Sequence, residues 1–82
     1  MTRVDIKSPE ALGQHIRDRR KTLGLTQQDL VNVAPFGLTF YSDLENGKGT
    51  AQLGKTLAAI RMLGLRFEIS SSDDPQEARK CG

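Results

Sequence analysis

Gly49-Thr50-Ala51-Gln52-Leu53-Gly54-Lys55-Thr56 matches the phosphate-binding loop G-x-x-x-x-G-K-[ST] of nucleotide hydrolases. That chemistry needs a buried strand before the loop and a helix that starts at the lysine. The residues in front, Glu45-Asn46-Gly47-Lys48, read instead as a helix end and a turn. Leu53 falls in an i, i+4, i+7 stripe with Leu57 and Ile60, which places the middle of the supposed loop on a helix. The chain is also too short for the parallel sheet that such a fold requires. The lone histidine, His15, falls on the exposed side of its helix, with no Asp or Cys placed beside it for a triad or a metal. The lone cysteine, Cys81, permits no internal disulfide and no metal quartet, and reads as a tail thiol in a reducing cytoplasm. These residues therefore predict no enzyme, no metal and no cofactor.

With 82 residues, 37% hydrophobic and no tryptophan, the chain reads as one domain with little apolar material, so a second chain supplying part of the core is expected. Net charge is +2, but Arg17, Arg19, Arg20 and Lys21 gather in one helix while Asp73, Asp74 and Glu77 lie near the C-terminus. The basic cluster fits phosphate contact and, equally, a solvated helix face. No stretch has the roughly 18 apolar residues of a membrane span, and the N-terminus lacks the apolar region of a signal peptide. A soluble cytoplasmic protein is expected.

The elements follow from periodicity and punctuation. Val4 and Ile6 alternate with Arg3, Asp5 and Lys7, a short strand pattern. Ser8-Pro9 opens a first helix that carries Leu12, Ile16 and Leu23 inward and ends at Gly24. Thr26 and Asp29 form a variant capping box for a second helix, with Leu30, Val33 and Ala34 on one face and Pro35 as its stop. After Gly37 a third helix places Tyr41, Leu44 and Glu45 on one face. Thr39, Asp43 and Asn46 point the other way, Leu38 and Ser42 lie at the edges, and Gly47 closes the helix. Thr50 caps a fourth helix with Leu53, Leu57, Ile60 and Leu63 as its inward stripe, closed by Gly64. Leu65-Arg66-Phe67-Glu68-Ile69 alternates strictly and predicts a β-strand, which needs either residues 3–7 or a second chain to pair with.

Two short helices joined by such a turn form a helix-turn-helix unit. The run Leu25-Thr26-Gln27-Gln28-x-Leu30 followed by Ser42-x-Leu44-Glu45-Asn46-Gly47-Lys48 resembles the phage-repressor and Cro-like helix-turn-helix family, without insertion between Thr26 and Glu45. Phe40 to Lys48, with the leucine-rich helix ending Leu63-Gly64-Leu65, resembles more narrowly the HipB-like antitoxin branch. The likeness covers residues 10–70. It implies an all-α, compact four- to five-helix repressor fold over residues 1–70, with the strand at Leu65, Phe67 and Ile69 paired across a homodimer and residues 71–82 a disordered tail.

The resemblance also implies roles. Arg20 and Glu45 would form a structural ion pair. Gln27, Asn46 and Lys48 would meet backbone phosphates of double-stranded DNA, while Leu38, Thr39, Ser42 and Asp43 would face the bases of an inverted-repeat operator. That is a poor set of polar readers, since no Gln, Asn or Arg stands at the start of the helix. Pro35 also replaces the glycine usual in the family. Phe40 is assigned to core packing. The expected function is an autoregulating antitoxin that binds a HipA-type Ser/Thr kinase toxin, with the tail as a protease handle, a toxin contact or a solubilising end. A stand-alone regulator and a protein-interaction module are the competing readings.

Overall fold

The computed structural model describes residues 3–49 and 52–69, in which the punctuation above resolves into α1 (Pro9–Thr22), α2 (Gln27–Val31), α3 (Leu38–Glu45) and α4 (Leu53–Met62). The Ser8 hydroxyl accepts from the Ala11 amide at 3.1 Å and opens α1, with Pro9 in the first turn. At α2 the capping box closes in both directions. The Asp29 amide donates to Thr26 Oγ1 at 3.0 Å, and the Thr26 amide donates to Asp29 Oδ2 at 2.9 Å. These bonds to the ionised form hold the Asp29 carboxyl below its ordinary range.

α1, α3 and α4 end in the same way. Past α3, the Gly47 amide donates to the Leu44 carbonyl at 3.2 Å and the Lys48 amide to the Asp43 carbonyl at 3.1 Å. This Schellman motif needs a left-handed residue, and Gly47 supplies it at φ 82°. Gly24 and Gly64 play the same part after α1 and α4.

α3 packs against both α1 and α2. The buried apolar set is Ile16, Leu30, Phe36, Tyr41, Leu44, Ala59, Ile60 and Leu63, drawn from all four helices and the turn before α3. The crossing of α1 and α3 is close at Gly13, where a Cβ would lie 2.5 Å from the carbonyl oxygens of both Leu44 and Glu45.

Several sequence expectations are corrected. Leu23 is 43% exposed, because α1 ends at Thr22 and the chain reverses there, turning the half-buried Leu25 inward instead. Val33 is 77% exposed: α2 stops at Val31, so the i+3 relation to Leu30 no longer applies. Leu53 is 67% exposed, since it is the first residue of α4 and its side chain leans toward the N-terminus, where no helical turn precedes it. The inward stripe of α4 is Thr56, Ala59, Ile60 and Leu63, with the expected Leu57 partly buried against the core beside them. Neither residues 3–7 nor 65–69 join a β-ladder; an exposed ion pair between Arg3 and Glu68, at 3.7 Å, links the two segments. The strand expected at Leu65, Phe67 and Ile69 is thus absent from the single chain, whose described residues offer no paired edge. His15 is half-buried rather than fully exposed. Gln52, not Thr50, stands at the N-cap of α4, which starts at Leu53; Thr50 itself and the tail from residue 70, with Cys81, lie outside the described residues.

Candidate nucleic-acid interface

The surface that α3 presents depends on what fixes the helix from behind. Glu45, at its last turn, is buried with a side chain only 2% exposed. Arg20 of α1 reaches it with two donors, Nε to Oε2 at 2.7 Å and Nη2 to Oε1 at 3.2 Å. A third, Nη1, donates to the Leu25 carbonyl at 2.7 Å. Gln27, the first residue of α2, adds its Nε2 to Glu45 Oε1 at 2.9 Å. One carboxylate therefore ties α1, the start of α2 and the end of α3 together through charge-assisted bonds. Burial disfavours its ionised form, but the Arg20 and Gln27 donors and the Arg20 charge outweigh that and hold the carboxyl below its usual range. The Glu45 bonds likewise raise the Arg20 guanidinium above its ordinary value, against the opposing effect of burial.

Tyr41 fills the core beside this pair with no exposure. Its hydroxyl makes no hydrogen bond of sound geometry. Burial first, and the Glu45 carboxylate acting through its field, raise the phenol well above its ordinary range. Phe36 stacks on Tyr41 at 5.9 Å between ring centroids and tilts against Phe40 at 5.3 Å. Phe40 is half-buried and packs against the core cluster, with Phe36 beside it; the Lys55 ammonium lies 5.7 Å from its ring centroid.

On the outer side, Leu38 and Thr39 are exposed at the start of α3, and Ser42 and Asp43 are half-exposed one turn later. These four occupy neighbouring positions along one helix surface. Asn46 caps α3 and is exposed, and exposed Lys48 follows it, with Nζ 3.5 Å from Asp43 Oδ1. The structure thus gathers Leu38, Thr39, Ser42, Asp43, Asn46 and Lys48 on α3 and its C-terminal turn. Gln27 stands apart on α2, with its amide already engaged by Glu45.

The basic cluster on α1 is divided by its partners. Arg20 is buried in the ion pair, and Arg19 donates from Nε to the Leu63 carbonyl at 2.9 Å, closing the end of α4. Only Arg17 and Lys21 remain as a solvated face. Sequence reasoning missed Arg19 and the Gln27–Glu45 bond, which join residues 44 and 18 positions apart without any local pattern. The motif resembling a phosphate loop runs into α4. Thr56, which would meet a metal ion in such a loop, is buried and donates to the Gln52 carbonyl at 2.8 Å.

No family model matches the chain. Its fold is shared by a chain of a HipA–HipB–O2–O3 complex and by a HipB–O4 20-mer complex. Each is 21% identical with a TM-score of 0.77, over 87% of this chain and all of the other. An uncharacterized HTH-type transcriptional regulator of Sinorhizobium fredii, y4mF, is 44% identical over 75 residues, which span 92% of this chain and 95% of the relative. With that identity over nearly the full length, and with a helix-turn-helix held by the Arg20–Glu45–Gln27 cluster, the chain is a regulator rather than an enzyme and belongs to the family of HTH-type transcriptional regulators.

Proposed function

We propose that the chain is a cytoplasmic, homodimeric repressor that binds an inverted-repeat operator and serves as the antitoxin of a HipA-type kinase. The observation that carries the DNA reading is the outer face of α3, exposed from Leu38 to Lys48 while Glu45 locks its inner face. In this reading α3 enters the major groove by its N-terminal end, where the side chains of Leu38 and Thr39 pack on thymine methyls. Ser42 and Asp43 face the bases one turn deeper. Lys48, the amides around Asn46 and the free second donor of the Gln27 amide meet phosphates. The kinase partnership is supported by the likeness to HipB, seen in complex with HipA, and the dimer by the unpaired Leu65–Ile69 segment.

The test is a salt titration of binding to the chain's own upstream DNA and to scrambled DNA. Lys48→Ala should weaken both about equally and lower the salt slope by roughly one ion per subunit. Thr39→Ala should change the preference at one base position per half-site and leave the slope nearly unaltered. Equal binding of wild type to both DNAs at every salt concentration overturns the repressor reading. The interaction-module alternative, favoured by the exposed Val33 at 77% and Leu38 at 44%, would then replace it. Copurification with the kinase-like product of a neighbouring reading frame tests the antitoxin role, and its failure leaves a stand-alone regulator.

A further inference from the structure

The Schellman turn after α3 brings the side chains of its third-last helical residue and the residue two past the cap together. In this motif the pair is frequently apolar. Here it is Asp43 and Lys48, whose backbones are joined by the Lys48 amide to Asp43 carbonyl bond at 3.1 Å. Their side chains meet at 3.5 Å, with Lys48 63% and Asp43 36% exposed. The pair is therefore built into the backbone of the turn, yet both charges remain accessible to a duplex.

We propose that Asp43 is an internal decoy for Lys48 and sets the base choice of the interface. It holds the ammonium in the free protein and releases it without loss only to duplexes that present a cytosine amino group to the carboxylate. The proposal rests on the reading of α3 as the groove-entering helix. Exposed ion pairs are weak, so a DNA phosphate can displace the carboxylate from Lys48. Displacement leaves an uncompensated negative charge beside a polyanion, a penalty felt by every sequence. In the major groove, guanine offers only acceptors and thymine an acceptor with a methyl group; adenine sets its donor beside the N7 acceptor. Cytosine offers the N4 amino donor. A C·G pair in the right orientation therefore offsets the penalty, and other pairs leave it standing. A recognition helix poor in polar readers gains selectivity in this way by excluding wrong sites.

The experiment selects binding sites from randomised duplexes with wild type and with Asp43→Asn. It then measures affinity for a scrambled duplex across salt for both, for Lys48→Gln and for the double variant, with helicity checked by circular dichroism. Asp43→Asn should bind scrambled DNA about five- to tenfold tighter at low salt. Its selected half-site should exchange one cytosine for adenine, which asparagine reads. In the Lys48→Gln background the carboxylate still faces the polyanion, so the gain should persist but be about two- to fivefold smaller, by the share that the ion pair contributes in the free protein. Unchanged affinity of Asp43→Asn for scrambled DNA overturns the proposal alone. So does an equal gain with and without Lys48, or a wild-type half-site lacking that cytosine. A wild type that selects no sequence overturns the repressor reading, and this proposal with it.

Discussion

Glu45 is the residue on which the geometry of the interface turns. Its carboxylate accepts from Arg20 and Gln27 in a site too dry to hydrate it. Glu45→Ala strands the guanidinium of Arg20, and denaturant melts should show a loss of about 3–5 kcal/mol. A loss below roughly 1 kcal/mol would mean that water screens the pair, contrary to its burial. The same residue sets an acid limit. Its carboxyl is depressed in the folded chain relative to about 4.3 in the unfolded one, so on acidification the unfolded state takes up the proton first. Its contribution is complete above that value and is lost as pH falls through the depressed folded value; Asp29, depressed by its capping bonds, acts in the same direction. Melts between pH 6 and about pH 3 should show stability falling with acidity, with a shallower fall in Glu45→Gln, which carries no titrating carboxyl at that position. An equal slope for the two proteins would remove Glu45 from the acid response.

At the scale of elements, the close crossing of α1 on α3 sets how α3 is presented. A Cβ at Gly13 would meet two backbone carbonyls, which cannot turn aside as a side chain can. Gly13→Ala should therefore push the helices apart, at a cost of about 1–3 kcal/mol, and weaken DNA binding along with stability. Gly54, inside α4, has nothing within 4 Å of its added Cβ, so Gly54→Ala should instead stabilise by up to about 1 kcal/mol. Thermal melts of the two variants check the contrast, and a Gly13→Ala protein as stable as wild type would contradict the packing. Several helix boundaries were legible in the sequence because their signals are local: Ser8-Pro9, the Thr26–Asp29 box, and the glycines one residue past the caps of α1, α3 and α4. The face of α4 was harder to read. Its buried stripe begins with Thr56 and Ala59, small residues that a search for bulky apolar side chains passes over in favour of Leu53. Phe36 went unassigned to the core because it lies in the turn, outside any helical period, and Arg19 because its partner is brought near only by tertiary packing.

For the whole molecule, the distribution of apolar residues argues for a second copy. The core is complete around Ile16, Tyr41 and Leu63, yet Phe67 is 50% and Ile69 89% exposed on a segment whose backbone joins no ladder. With Leu57, Ile60 and Arg61 of α4, the segment's Leu65, Arg66 and Phe67 line a groove of about 600 Å³. Scattered exposed leucines are ordinary on a small protein. An alternating segment of this kind is not, because beyond Leu65, whose amide donates to the Ile60 carbonyl, its backbone joins no ladder and its Phe67 and Ile69 face is exposed beside that groove. We propose that the partner's copy of the same segment pairs with it across a twofold axis, which places the two α3 helices for half-sites about 34–36 Å apart. Phe67→Pro removes a ladder amide and an apolar side chain together. Sedimentation should then show a monomer whose α-helices persist by circular dichroism, since the helical core contains no residue of the segment beyond the partly buried Leu65. Binding to an inverted repeat should fall to the level of a single half-site, while binding to an isolated half-site changes little. A variant that stays dimeric and binds the full repeat as wild type does would exclude Leu65–Ile69 from the interface and leave α4 as the element to test.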